Sequence, residues 1–108
     1  MTVGKILEQF DAVKNNEISD SVKLGWLSEV EGKVLCEIKN LSPDSVAFPN
    51  SSCDELSIPE SFSRVYLLYL GAMTELAAGN YDAYSHLYKE FEAEMSSYAK
   101  FCIRNRNK

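Results

Sequence analysis

Apolar residues at Val3, Ile6, Phe10 and Val13 recur at three- and four-residue steps, which predicts a short amphipathic helix over 3–14. Thr2 is placed to cap it, and Asn15-Asn16 to stop it, because Asn tolerates the left-handed geometry of a helix end. Trp26, Leu27, Val30, Val34 and Ile38 share the face of a second helix, expected over 20–39. Ser19 serves as its N-cap, and Asp20 sits in its positive first turn. Gly25 and Gly32 interrupt this pattern, each at a cost of about 1 kcal/mol relative to Ala. Close packing against a neighbouring helix is the expected reason for both.

The periodicity vanishes from Leu41 to Ser57, a stretch with Pro43, Pro49 and several Ser, and with Asp44, Asp54 and Glu55 but no base. Connections in compact domains have a median of about four to six residues, so a loop this long is expected to be functional or disordered. Val46-Ala47-Phe48 could form a short strand or tuck the Phe48 ring onto the body. Pro59 suits the first position of a third helix, expected over 59–78, where its missing N–H is not needed. That helix is apolar nearly all round from Val65 to Met73, which marks it as central and buried. Gly79 stops it and Asn80 caps the next. Tyr81, Tyr84, Tyr88, Phe91, Met95, Tyr98 and Cys102 then form a heptad seam along a fourth helix over 81–104. A link of two residues makes the last two helices an antiparallel hairpin. The expectation is an all-α, four-helix compact domain with a long loop between the second and third helices. Trp26, Leu70 and Phe91 should be largely buried in it.

At 108 residues the chain has length for one domain, spanning 1–108, and for a core without disulfide or metal support. Its formal charge of −5 argues against a general binder of nucleic acid or anionic membrane. Cys36, Cys53 and Cys102 are odd in number and far apart, which reads as reduced thiols of a cytosolic compartment. No signal peptide is apparent at the start. The apolar run Val65 to Thr74 is half what a membrane-spanning helix needs, so no membrane role is expected.

Chemistry is hard to build from these residues. A single histidine, His86, leaves no histidine-rich metal site, and Ser97-Tyr98-Ala99-Lys100 matches S-x-x-K without its companion motifs. Successive members of Glu90, Glu92 and Glu94 are two residues apart and point away from one another on a helix. The glycines are scattered, so no phosphate-cradling loop is present. The expectation is therefore a protein-assembling role, with no enzyme activity and no cofactor. The end of the chain stands out: Lys100, Arg104, Arg106 and Lys108 are basic without one acid among the last nine residues. Charge at a helix C-terminus accounts for the first two. Arg106 and Lys108 suit an arm that meets an acidic partner or a nucleic-acid backbone.

Taken in order, several segments resemble the small head–tail connector proteins of long-tailed bacteriophages of Gram-positive hosts, also called head-completion, adaptor or DNA-packaging proteins. They are Trp26-Leu27-Ser28-Glu29-Val30-Glu31-Gly32 and Leu56-Ser57-Ile58-Pro59-Glu60-Ser61-Phe62, then Tyr66, Tyr69 and Leu70. Gly79-Asn80-Tyr81-Asp82-Ala83-Tyr84 follows, with Phe91 and Tyr98 beyond it. The pattern runs from Val3 to about Phe101. It departs from the family at Asn80, where an acid is common, and at Ser85, where Asn is common; the Leu41–Ser57 loop has no counterpart.

The resemblance implies a helical structural subunit that forms a homo-oligomeric ring under the portal, joins it to stopper or tail proteins and helps retain packaged DNA. Its place would be the virion, with host cytoplasm during assembly. The free chain is expected to be a monomer or weak oligomer, with DNA passing through without sequence-specific binding. Residues expected to meet partners are Arg104, Arg106 and Lys108 at the basic end, and Asp44, Phe48, Asp54 and Glu55 in the acidic loop. The rival expectation is a small helical adaptor or regulator of a phage or bacterial cytosolic complex.

Overall fold

Four helices account for nearly all the regular structure in the computed structural model, which describes residues 2–14, 16–38 and 54–106. Helix α1 spans Val3–Val13, and its first turn is closed by Lys5 N–H donating to Thr2 Oγ1 at 3.3 Å. Helix α2 spans Asp20–Lys33, with Val22 N–H donating to the hydroxyl of Ser19 at 3.4 Å. Its end widens into a π-helical turn over Val34–Ile38. Past the undescribed stretch the chain is extended, with Thr2 and Glu55 pairing as an isolated antiparallel bridge. A short 3₁₀ turn, Glu60–Phe62, leads from Pro59 into α3, Arg64–Ala78. Helix α4, Tyr81–Arg106, is the longest at 26 residues.

The all-α, four-helix fold matches the expectation from periodicity. The hairpin between α3 and α4 turns at Gly79, whose φ of +84° is the left-handed conformation that side chains with a Cβ rarely adopt. Asn80 provides only its backbone carbonyl to the first turn of α4, accepting from Tyr84 N–H at 2.9 Å. Its side chain turns back to donate to Glu75 instead.

One continuous core lies between the helices, with Ile6 and Phe10 of α1, Leu27, Val30 and Val34 along α2, and Val65, Tyr66 and Leu70 on α3. Leu56 and Ile58 close it from the segment before α3, and Phe91 and Tyr98 from α4. Leu70 and Phe91 are buried as expected, at 0% and 2% exposure.

Several positions differ from the sequence reading. Trp26 is only half-buried at the edge of the core, because the inward face of α2 runs through Leu27, Val30 and Val34 and leaves the indole on its flank. Val13 is 77% exposed, since α1 ends there; Leu7 takes the buried place instead. Tyr81 is exposed because it sits at the tip of the α3–α4 hairpin, where Leu76, Ala77 and Ala78 are exposed as well. Gly25 is exposed, and a Cβ there would meet no atom within 4 Å, so close helix packing is not its reason. The suggested strand at Val46-Ala47-Phe48 lies outside the described residues.

Candidate functional site

Two charged side chains are buried in α2, and periodicity alone did not flag either. Lys23 and Glu31 are each 2% exposed. The signal was present in the spacing: Lys23, Leu27, Val30, Glu31 and Val34 all fall on one helical stripe, so charges at 23 and 31 had to enter the core.

Glu31 carries no ion pair among the described residues and is held by neutral donors. Its Oε2 accepts from the backbone N–H of Ser57 at 3.0 Å and from the Ser57 hydroxyl at 2.7 Å. Its Oε1 accepts from the Tyr66 hydroxyl, which in turn accepts from Ile58 N–H at 3.0 Å. Burial holds the Tyr66 phenol far above its ordinary pKa, and the adjacent Glu31 charge adds to this. The result is a clasp joining α2, the Ser57–Ile58 segment and α3. Val3 N–H, donating to Asp54 C=O at 3.0 Å, ties the same segment to the start of α1.

Lys23 is held by anionic and neutral acceptors at the α1–α2 corner. Its Nζ donates to Asp11 Oδ1 at 2.7 Å and Asn16 Oδ1 at 3.3 Å, and lies 3.4 Å from Asp20 Oδ1. Asn16 Nδ2 also donates to Asp11 Oδ1 at 3.1 Å, and the Asp11 pKa is lowered, the Lys23 hydrogen bond contributing most and that of Asn16 next. A second tie, from Lys14 to Glu75, joins the end of α1 to α3.

The partner-binding residues expected from sequence fall in separate places. Arg104 is exposed near the end of α4, and Arg106 is that helix's last residue. Asp54 and Glu55 lie against the start of α1, through the Val3 hydrogen bond and the Thr2 bridge. Asp44, Phe48 and Lys108 are outside the described residues. His86 stands on the surface, its Nε2 3.3 Å from Glu90. Cys36 and Cys102 carry free thiols.

Helix α4 offers two surface features. A groove of about 300 Å³ runs between it and the end of α2, with Tyr88, Phe91 and Met95 facing Lys33 and Glu37. Nearer its C-terminus, Ser97, Lys100, Ile103 and Arg104 line a shallow face. Among the described residues no helix is long and apolar enough to cross a membrane, and no group of three or more His, Cys, Asp or Glu could hold a metal ion. Comparison with protein-family models, curated proteins and solved structures returns no match.

Proposed function

We propose that this chain is a head–tail connector subunit, one copy of a ring seated under a phage or prophage portal. The observation that supports this reading is how the segments that carry the resemblance lie relative to one another. Glu31 of the Trp26–Gly32 segment bonds Ser57 of the Leu56–Phe62 segment and also Tyr66. Glu29 accepts from Tyr69, whose ring lies 5.0 Å from that of Phe91. Phe62 meets Tyr98 at 5.2 Å. Matches at 26–32, 56–62, 66, 69, 91 and 98 thus lie together in space, while the Gly79–Tyr84 segment forms the exposed tip of the hairpin. A shared fold does not itself carry function, so the reading stands on that residue set and on the experiment below.

In this role the subunit works as a spacer and adaptor. Helix α4, about 39 Å long at 1.5 Å per residue, braces against α3 and presents a basic end for docking. The acidic balance of the chain lets DNA slide past, because like charge repels the phosphate backbone. The work is positional, with no bond made or broken.

Purified protein added to portal-bearing, DNA-filled heads without tails is expected to give a ring of extra density at the portal vertex. Wild-type protein that leaves those heads bare overturns the connector reading. Replacing Arg104, Arg106 and Lys108 with Ser should leave the melting temperature nearly unchanged but weaken attachment. A collapse in stability would instead make the basic end structural.

A further inference from the structure

Helix α4 carries two surfaces that are opposite in character and turned to different sides. The groove beside α2 combines the Tyr88, Phe91 and Met95 side chains with the exposed carboxylates of Glu37 and Glu92; among the described residues Lys33 is its only cation. The C-terminal face presents Ile103, 55% exposed, next to the exposed cations Lys100 and Arg104. At about 100° per residue the two lie roughly a third of a turn apart around the helix axis. Among the described residues, Glu37, Glu92, Lys100 and Arg104 form no ion pair. One chain thus displays an apolar knob with two cations, and a groove with an apolar floor and two carboxylates.

We propose that the knob of one copy seats in the groove of the next. Ile103 enters against Tyr88 and Met95, while Lys100 and Arg104 meet Glu37 and Glu92. The occupant is a second copy of this chain because the cations of one surface and the carboxylates of the other are matched in sign within the chain itself, and each flanks apolar side chains. The two patches differ, so the contact is heterologous: each junction leaves a free groove at one end and a free knob at the other, and the contact propagates into a ring or a filament. Two or three side chains from each copy make a small interface, weak in free solution. It strengthens when copies are held side by side at high effective concentration. Closure into a ring on a portal rests on the connector reading; the contact itself does not.

The test uses purified full-length chain at low salt, followed by sedimentation equilibrium up to millimolar concentration, with circular dichroism confirming that each variant folds. All four charges are exposed, so reversing them should not disturb the core. A knob variant, K100E/R104E, and a groove variant, E37K/E92K, should each lose about tenfold or more in self-affinity. Mixed in equal amounts they should associate again, because the intact groove of the first accepts the intact knob of the second. The variant with all four reversals should self-associate like wild type. Ile103→Ser, which changes no charge, should weaken association as well.

Wild-type chain that stays monomeric at millimolar concentration overturns the proposal. So does association that neither reversal disturbs, or a mixture that fails to recover, as a contact of like patches would. Heads left bare by a chain that passes the mixing test count against the connector reading alone. Heads decorated by a chain that fails it count against this contact alone.

Discussion

The α3–α4 hairpin and the α1–α2 side of the molecule are held together by different physics. Rings join the hairpin and the turn that leads into it: Tyr69 on Phe91 at 5.0 Å, and Phe62 of the 3₁₀ turn on Tyr98 at 5.2 Å and on Phe101 at 5.1 Å. The α1–α2 side adds directed polar ties to its apolar contacts, through Lys23 at the corner and Glu31 at the clasp. Apolar packing is non-directional, and its strength follows the area and volume filled. A buried polar tie depends on each donor finding its acceptor, and removing one partner strands the others. The hairpin should therefore respond to changes in volume, and the α1–α2 side to changes in a single atom.

The largest expected effect is at Leu70, fully buried at the centre of α3. Leu70→Ala should cost about 2–5 kcal/mol in urea unfolding, from lost transfer energy and the cavity left behind. A loss under about 1 kcal/mol would show that the site collapses, and that packing around α3 is looser than its burial indicates.

Next comes the clasp. Glu31→Ala leaves the Ser57 N–H and the Tyr66 hydroxyl without their acceptor, and should cost about 2–3 kcal/mol. Glu31→Gln keeps the shape but sets an NH₂ group against one of those donors, so it should cost less, about 1–2 kcal/mol. Amide exchange at Ser57 and Ile58 should quicken in both variants, since these N–H groups bond within the network. If Ala and Gln cost the same, shape rather than acceptor geometry holds the clasp, and the contrast with the hairpin fails there.

The same contrast explains what the sequence made legible. Helix positions followed from apolar spacing, and the hairpin from Gly79, because both depend on local rules of periodicity and backbone conformation. Leu70 and Phe91 were legible as core for that reason. Trp26 was not, because its place depends on how far α2 is rolled about its axis. The partners of Glu31 lie 26 and 35 residues away, at Ser57 and Tyr66, and no local rule joins positions so distant. The groove on α4 was hidden likewise: Glu37 and Glu92 line one groove only in the folded chain. The basic end, by contrast, was visible as a run of cations in an acidic chain.

The smallest expected effect is a pH dependence at the α1–α2 corner. Asp11 has a pKa below the usual carboxylate range because Lys23 and Asn16 donate to it in the folded state. The folded protein therefore binds that proton less readily than the unfolded chain. The sign follows: the contribution is fully present above the unfolded value of about 3.9, and fades as pH falls through the lower folded value. Glu75, held low chiefly by Lys14, titrates in the same sense, so the wild-type curve alone cannot isolate Asp11. The difference between wild type and Asp11→Asn does, provided the two sites are independent. That difference should be flat from pH 7 to about pH 5 and shrink below it. The Asp11 side chain is 48% exposed, so screening by water keeps the effect below about 1 kcal/mol. Lys23→Met supplies the converse: with the ammonium gone, the largest cause of the lowered Asp11 pKa goes too. The pH dependence of the Asp11→Asn difference should then shrink in that background to the part Asn16 supplies. Persistence of the full slope would mean that Asn16 alone sets the Asp11 pKa.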